Sequence, residues 1–284
     1  WSIVTQQLLS SFELPASPNQ VGHPLAFTPD AQQLAFANED RIDWFDVAQS
    51  KVIASTPVGH ECRFLSISPD GTHIATNGAR QFNRLTDRNL SAVVLERRTG
   101  TVLQTLPQAE FVQCAAWSPD GRRLATSGLD PNVSVWDLEQ PAVPSLVCRG
   151  HSQAVTHLAF DPDGELLLSS GSDRKTRVWS ARSGELLQEI EDHYGVRFSE
   201  DGRWLGCAHP GRQVARFEIV EDIACRTVTA DAPNAPVWSV DFSPDDERLA
   251  VASVNHLQLV DWRSGKVAHR MTERNNSQVR FASA

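Results

Sequence analysis

His151, Ser169 and Asp173 lie close together along this chain and are the three residue types of a hydrolytic triad. In such a triad an imidazole takes the proton of a serine hydroxyl while a carboxylate orients the imidazole, which creates a nucleophile for acyl transfer. Ser172-Asp173-Arg174-Lys175 also fits the Ser-x-x-Lys pattern of penicillin-recognising enzymes. That pattern needs a helix start, and no helical periodicity is sustained for three turns anywhere in the chain. His60-Glu61 lacks the second histidine of a zinc-binding helix, and no phosphate-cradling Gly-x-x-x-x-Gly-Lys-Ser/Thr segment occurs. Asp241-Phe242-Ser243 stands without the glycine-rich and catalytic loops of a kinase. The expectation is a chain without catalytic residues, cofactor or metal.

The elements that must position these residues follow from one phrase, met six times. It reads Phe27-Thr28-Pro29-Asp30, Ile67-Ser68-Pro69-Asp70-Gly71, Trp117-Ser118-Pro119-Asp120-Gly121, Phe160-Asp161-Pro162-Asp163-Gly164, Phe198-Ser199-Glu200-Asp201-Gly202 and Phe242-Ser243-Pro244-Asp245-Asp246. Between turn aspartates the steps are 40, 50, 43, 38 and 44 residues. Proline fixes φ and offers no N–H, and Asp-Gly suits a tight turn, so the phrase closes one strand and opens the next. A second signal follows: Val133 to Trp136 and Thr176 to Trp179 end in tryptophan, and Arg182-Ser183-Gly184 then leads into Leu186-Leu187-Gln188-Glu189-Ile190. Repeats near forty residues, each of four short strands, predict an all-β propeller of four-stranded antiparallel blades.

Gly150-His151 before a strand, Asp173 in the following loop and then Val178-Trp179 resemble a WD-repeat (WD40-type) unit, with Trp136-Asp137 and Gly59-His60 as further pieces. The resemblance covers essentially the whole chain, although one repeat alone is complete. It implies a hydrogen-bonded tetrad within a blade. In blade four the members would be His151, Ser169 (or its neighbour Ser170), Asp173 and Trp179. Blade three keeps Thr126, Asp130 and Trp136, with Gln108 where histidine would fall, and the other blades put Phe45, Leu95, Phe217 and Val260 at the tryptophan position. The recurrence of this grouping makes it structural: it satisfies buried polar groups and ties strands together.

One domain is expected over 1–284, with blades at about 21–58, 60–107, 109–148, 151–191, 193–230 and 235–272. Trp1 to Phe12 repeats the spacing that follows Trp179, and Val279-Arg280-Phe281 repeats Val196-Arg197-Phe198. Residues 1–14 and 277–284 would then be parts of a split, incomplete seventh blade. The chain starts with tryptophan and its sole methionine is Met271, so it reads as a fragment whose missing flanking segments complete the ring. The compact turns resemble those of bacterial members.

A formal charge of −9 argues against a nucleic-acid surface, and no stretch approaches the roughly 20 apolar residues that cross a bilayer. Cys62, Cys114, Cys148, Cys207 and Cys225 are odd in number and lack a Cys-x-x-Cys pair, which predicts reduced, buried thiols. The expected location is cytoplasmic.

Function must then lie on loops. The resemblance places the loops between strands two and three, and those between blades, on one partner-binding rim. The longest step carries an insertion with Arg80, Phe82, Arg84 and Arg88, a grip for an acidic or phosphorylated peptide. Other rim candidates are His60, Glu110, Leu129, Gln153, Ser172, Arg174 and His209. The reading is a non-catalytic scaffold that binds protein or peptide partners. Its rivals are a regulatory part of a bacterial signalling enzyme (kinase or NTPase) and a propeller hydrolase or lactonase. The last would need metal ligands on innermost strands that offer mainly Leu65-Ser66, Ala115-Ala116 and Leu158-Ala159.

Overall fold

The structure, a computed structural model, describes residues 24–78, 90–191, 194–209, 213–219, 230–231, 237–243, 245, 247–253, 256–261, 264 and 266–272. It is an all-β arrangement of four-stranded antiparallel sheets, the sheet type from which propeller blades are built. Sheet one holds β1 (Leu25–Phe27), β2 (Gln33–Asn38), β3 (Arg41–Asp46) and β4 (Lys51–Pro57). In sheet two, β5 (Ser66–Ile67) is followed by β6 (His73–Asn77), β7 (Ser91–Glu96) and β8 (Val102–Pro107). Sheet three comprises β9 (Val112–Trp117), β10 (Arg123–Gly128), β11 (Val133–Asp137) and a short β12 (Leu146–Cys148). Sheet four runs through β13 (Val155–Phe160), β14 (Leu166–Gly171), β15 (Lys175–Ser180) and β16 (Leu186–Glu191). Sheet five takes β17 (Tyr194–Phe198), β18 (Trp204–His209), β19 (Gln213–Glu218) and β20 (Ala230–Asp231). Sheet six closes the series with β21 (Val237–Phe242), β22 (Arg248–Ser253), β23 (His256–Asp261) and β24 (Lys266–Thr272). The expected split seventh blade falls on 1–14 and 277–284, outside the described residues. Among the described residues no helix is long and apolar enough to cross a membrane.

The turn phrases set the register. Four residues after five of the six turn aspartates, Leu34, Ile74, Leu167, Leu205 and Leu249 pair with Phe45, Leu95, Trp179, Phe217 and Val260. A one-residue slip would turn every side chain to the opposite face, so this fixed spacing keeps the apolar set inward. Within the turn, Ser118 Oγ donates to Asp120 Oδ1 (2.5 Å) and accepts from Arg123 N (2.9 Å), while Asp120 Oδ1 accepts from Arg122 N (3.0 Å). Gly121 closes it at φ 69, a left-handed conformation that suits glycine; Ala31 takes the matching place in sheet one at φ 53.

The chain divides into two compact units, one of Trp1–Asp130, Val135–Ser145 and Ala284, the other of Pro131–Ser134 and Leu146–Ser283. In the first, Ile42, Trp44, Ile74 and Leu95 form one core, and Phe64, Leu106, Leu124 and Trp136 a second. In the other, Leu168, Val178, Val196 and Leu205 pack together, as do Val240, Phe242, Leu249 and Val260. Turns also stack. A methyl added at Gly71 would lie 3.5 Å from Pro29, and one at Gly202 3.3 Å from Pro162, so each of these glycines nests against the proline of the preceding turn.

Candidate functional site

Sheet four assembles the candidate chemistry. His151 precedes β13, Ser169 lies mid-β14, Asp173 sits in the β14–β15 turn and Trp179 near the end of β15. The Trp179 indole N–H donates to Ser169 Oγ at 2.8 Å, and Ser169 Oγ lies 2.8 Å from His151 Nε2. Both Asp173 oxygens stand 3.0 Å from His151 Nδ1. Arg177 Nη1 also lies 2.6 Å from His151 Nδ1; with its N–H directed at Asp173 Oδ2, one proton arrangement runs Trp179 N–H to Ser169, Ser169 O–H to His151 Nε2 and His151 Nδ1–H to Asp173. Ser170, the alternative, instead bonds Thr176 Oγ1 at 2.8 Å.

Asp173 takes more. Its oxygens accept from Ser152 N (3.2 Å), Lys175 N (3.2 Å) and Arg177 Nη1 (2.9 Å). Burial pushes its pKa up, but hydrogen bonds from Arg177 and His151 outweigh this and hold it at about 2. Burial first, with the Arg177 charge adding to it, lowers the His151 pKa and favours a neutral ring. Arg177 reaches on to Glu189 at 2.6 Å, and Glu189 also pairs with Lys175. Glycine is required at 171, where a Cβ would stand 2.7 Å from both Asp173 Oδ1 and His151 Nδ1.

The order Asp–His–Ser matches a hydrolytic triad, but the surroundings do not. Ser169 is 0% exposed, and its oxygen already serves the indole and the imidazole. A nucleophile must reach a substrate carbonyl, and this one faces only protein. In the Ser-x-x-Lys match, Ser172 is exposed on a strand-to-strand turn, and Glu189 raises the Lys175 pKa, which keeps that amine protonated. Among the described residues, no three His, Cys, Asp or Glu side chains group to hold a metal. Cys62 and Cys148 are buried free thiols whose pKa burial pushes up to about 11.

Sheet three builds a variant of the same cluster. Gln108 Nε2 (2.6 Å) and the Trp136 indole N–H (2.8 Å) both donate to Thr126 Oγ1. Asp130 lies in the β10–β11 loop, where its backbone carbonyl accepts from Ser127 Oγ at 3.3 Å.

Two polar clusters escaped the sequence reading. In sheet one, Trp44 rather than Phe45 carries the indole bond, donating to Thr56 Oγ1 at 2.8 Å with the Arg97 guanidinium 3.9 Å above its ring. Beside it, buried Asp43 accepts from Asn38 (2.6 Å), Arg41 (3.0 Å) and Ser55 (2.5 Å). The second is the Arg177–Glu189–Lys175 extension. Its signal was the two-residue period of β15, which puts Lys175, Arg177 and Trp179 on one face.

The rim candidates scatter. Leu129 is 45% exposed; Gln153, Ser172 and Arg174 are exposed, and Glu110 is half-buried. His60 is bound to backbone, its ring nitrogens lying 3.1 Å from Val58 O and 2.5 Å from Asn77 O. It is not the counterpart of His151: that residue stands twelve positions before its turn aspartate, as Gln108 does, whereas His60 stands ten before. Arg80, Phe82, Arg84 and Arg88 lie outside the described residues, as does the side chain of His209.

Three segments, residues 100–137, 142–180 and 225–257, match the family model of the WD domain, G-beta repeat. Those three segments are similar to WD repeats. The first two segments take in the Thr126–Trp136 and Ser169–Trp179 clusters. Actin-interacting protein 1 of Caenorhabditis elegans is 26% identical over 143 residues, which is 49% of this chain and 22% of that protein. The chain therefore spans less than a quarter of the length of the curated relative it matches. That relative comes from an animal, so it lends no support to the expected bacterial source.

Proposed function

We propose that this chain is a non-catalytic WD-repeat scaffold that docks protein partners on its loops. The observation that carries this reading is the Ser169 hydroxyl, fully buried and engaged by Trp179 and His151, in the one cluster among the described residues with the composition of a hydrolytic site. A rigid polar cluster of this kind holds strands in register and frees the loops between them to vary. The matched repeats and the likeness to an actin-interacting protein support protein binding, and actin is the first partner to test. The two buried free thiols suit a reducing, cytoplasmic setting.

Co-sedimentation of the chain with filamentous actin should show saturable binding that Leu129→Asp weakens without loss of fold. Activated-ester hydrolysis, followed in parallel, should not differ between parent and Ser169→Ala. Turnover that disappears in Ser169→Ala would overturn the scaffold reading. Absence of actin binding would remove actin as the partner.

A further inference from the structure

In five of the six turn phrases a buried hydroxyl stands two residues ahead of the turn aspartate. Thr28, Ser68, Ser118, Ser199 and Ser243 donate to Asp30, Asp70, Asp120, Asp201 and Asp245 at 2.5–2.6 Å. Each hydroxyl oxygen also accepts the backbone N–H five residues on, at 2.9–3.0 Å. Sheet four places Asp161 there, 6% exposed. The backbone is unchanged: Asp161 N donates to Leu166 O (3.1 Å) and Gly164 N to Asp161 O (3.0 Å), against 2.9 Å for both counterparts at Ser118. Asp161 Oδ1 still accepts from Leu166 N at 2.8 Å. Half of the hydroxyl's task is done. A carboxylate has no proton for the other half, donation to Asp163.

We infer that Asp161 is a proton-operated substitute for the turn hydroxyl: once protonated it donates to Asp163 as Ser118 donates to Asp120, so acid tightens the turn of sheet four. The surroundings favour that proton. Burial raises the Asp161 pKa first, and the charges of Asp163 and Glu165 raise it further, against backbone hydrogen bonds that lower it. Arg182 is committed to Glu165 through contacts of 2.5 and 2.7 Å. The next turn, whose Gly202 nests on Pro162, contributes Glu200, Asp201 and Arg203.

The sign is opposite to that of the hydroxyl-bearing turns. There the Ser or Thr bond is the first cause that lowers the pKa of Asp30, Asp70, Asp120 and Asp245, so those turns weaken as acid protonates them. A carboxyl whose folded pKa is raised binds its proton more tightly folded than unfolded. Stability then rises as pH falls through the folded pKa, and the gain is complete below the unfolded value near 3.8.

Asp161→Asn is the decisive variant, made in the full chain. Its amide keeps an oxygen for Leu166 and offers a permanent N–H toward Asp163. At pH 7.5 its Tm should exceed the parent's by about 2–4 °C, with the gap closing toward pH 4. Asp161→Ala, which removes the charge together with the acceptor of Leu166 N and supplies no donor, should gain less than the asparagine variant. In the parent, NMR titration of the Asp161 carboxyl should give a value above 3.8. A titration at or below that value, or an alanine variant as stable as the asparagine one, overturns the inference.

Discussion

Sheets three and four pin a buried indole to a strand hydroxyl in the same way, yet they finish the cluster differently. In sheet four the chain from Trp179 runs through Ser169 and His151 to Asp173, a buried ion paired with Arg177. In sheet three the Trp136 indole and the neutral Gln108 amide converge on Thr126. The hydroxyl and the indole form the shared part. The third position needs only a polar group that matches the hydroxyl: an amide does so alone, whereas an imidazole brings a second nitrogen that must be satisfied, and with it a carboxylate. Sheet four therefore has a titrating cluster, and sheet three a cluster whose three linked side chains do not titrate.

The largest expected effect tests the shared part. Trp179→Ala and Trp136→Ala each remove a buried aromatic, 1% exposed in the parent, and should each cost about 3–5 kcal/mol in denaturant unfolding. A fully stable Trp179→Ala would show that the indole is not a core element. Next comes the ionic part. Asp173→Asn leaves Arg177 without its buried carboxylate and should cost about 3 kcal/mol. Asp130→Asn, at a half-buried loop position, should cost less; equal losses would erase the distinction between the sheets.

A smaller effect should separate the clusters by pH. The His151 pKa lies below its usual value, so on acidification the unfolded chain takes up that proton first. Stability is then lost from about pH 6.5 downward, and Asp173 adds its own loss between about 3.8 and about 2. His151→Gln copies the sheet-three solution. It should be about 1 kcal/mol less stable than the parent at pH 7.5, with the gap narrowing by pH 5.5 in thermal unfolding. A gap that widens on acidification would contradict a neutral, buried His151.

What the chain disclosed in advance followed its local turn chemistry. Pro, Asp and Gly at a fixed offset determine where a strand begins, and the partners of Leu34, Ile74, Leu167, Leu205 and Leu249 then follow by counting. The same counting separates His151 and Gln108 from His60, and Gly59-His60 misleads because a short motif carries no register of its own. Trp44 was hidden for another reason. Its bond to Thr56 and its stacking under Arg97 join two strands of sheet one to the turn after β7 of sheet two, and no local spacing encodes such a meeting. Asp161 was visible as a departure from serine, but its burial, which gives that departure its consequence, was not.

The smallest effect is the most pointed. Gln108→His would place an imidazole at the position that His151 occupies, with Asp130 as far along the repeat as Asp173 is in sheet four. If the carboxylate is the one further requirement, the new ring should bridge Thr126 and Asp130, change stability by no more than about 1 kcal/mol and show a slowly exchanging ring N–H by NMR. Sheet four, however, surrounds its carboxylate with Arg177, whereas the matching residue on β11 is Ser134. Should Gln108→His unfold the chain by several kcal/mol and be rescued by Ser134→Arg, then the cation, rather than the aspartate alone, is what allows a buried histidine.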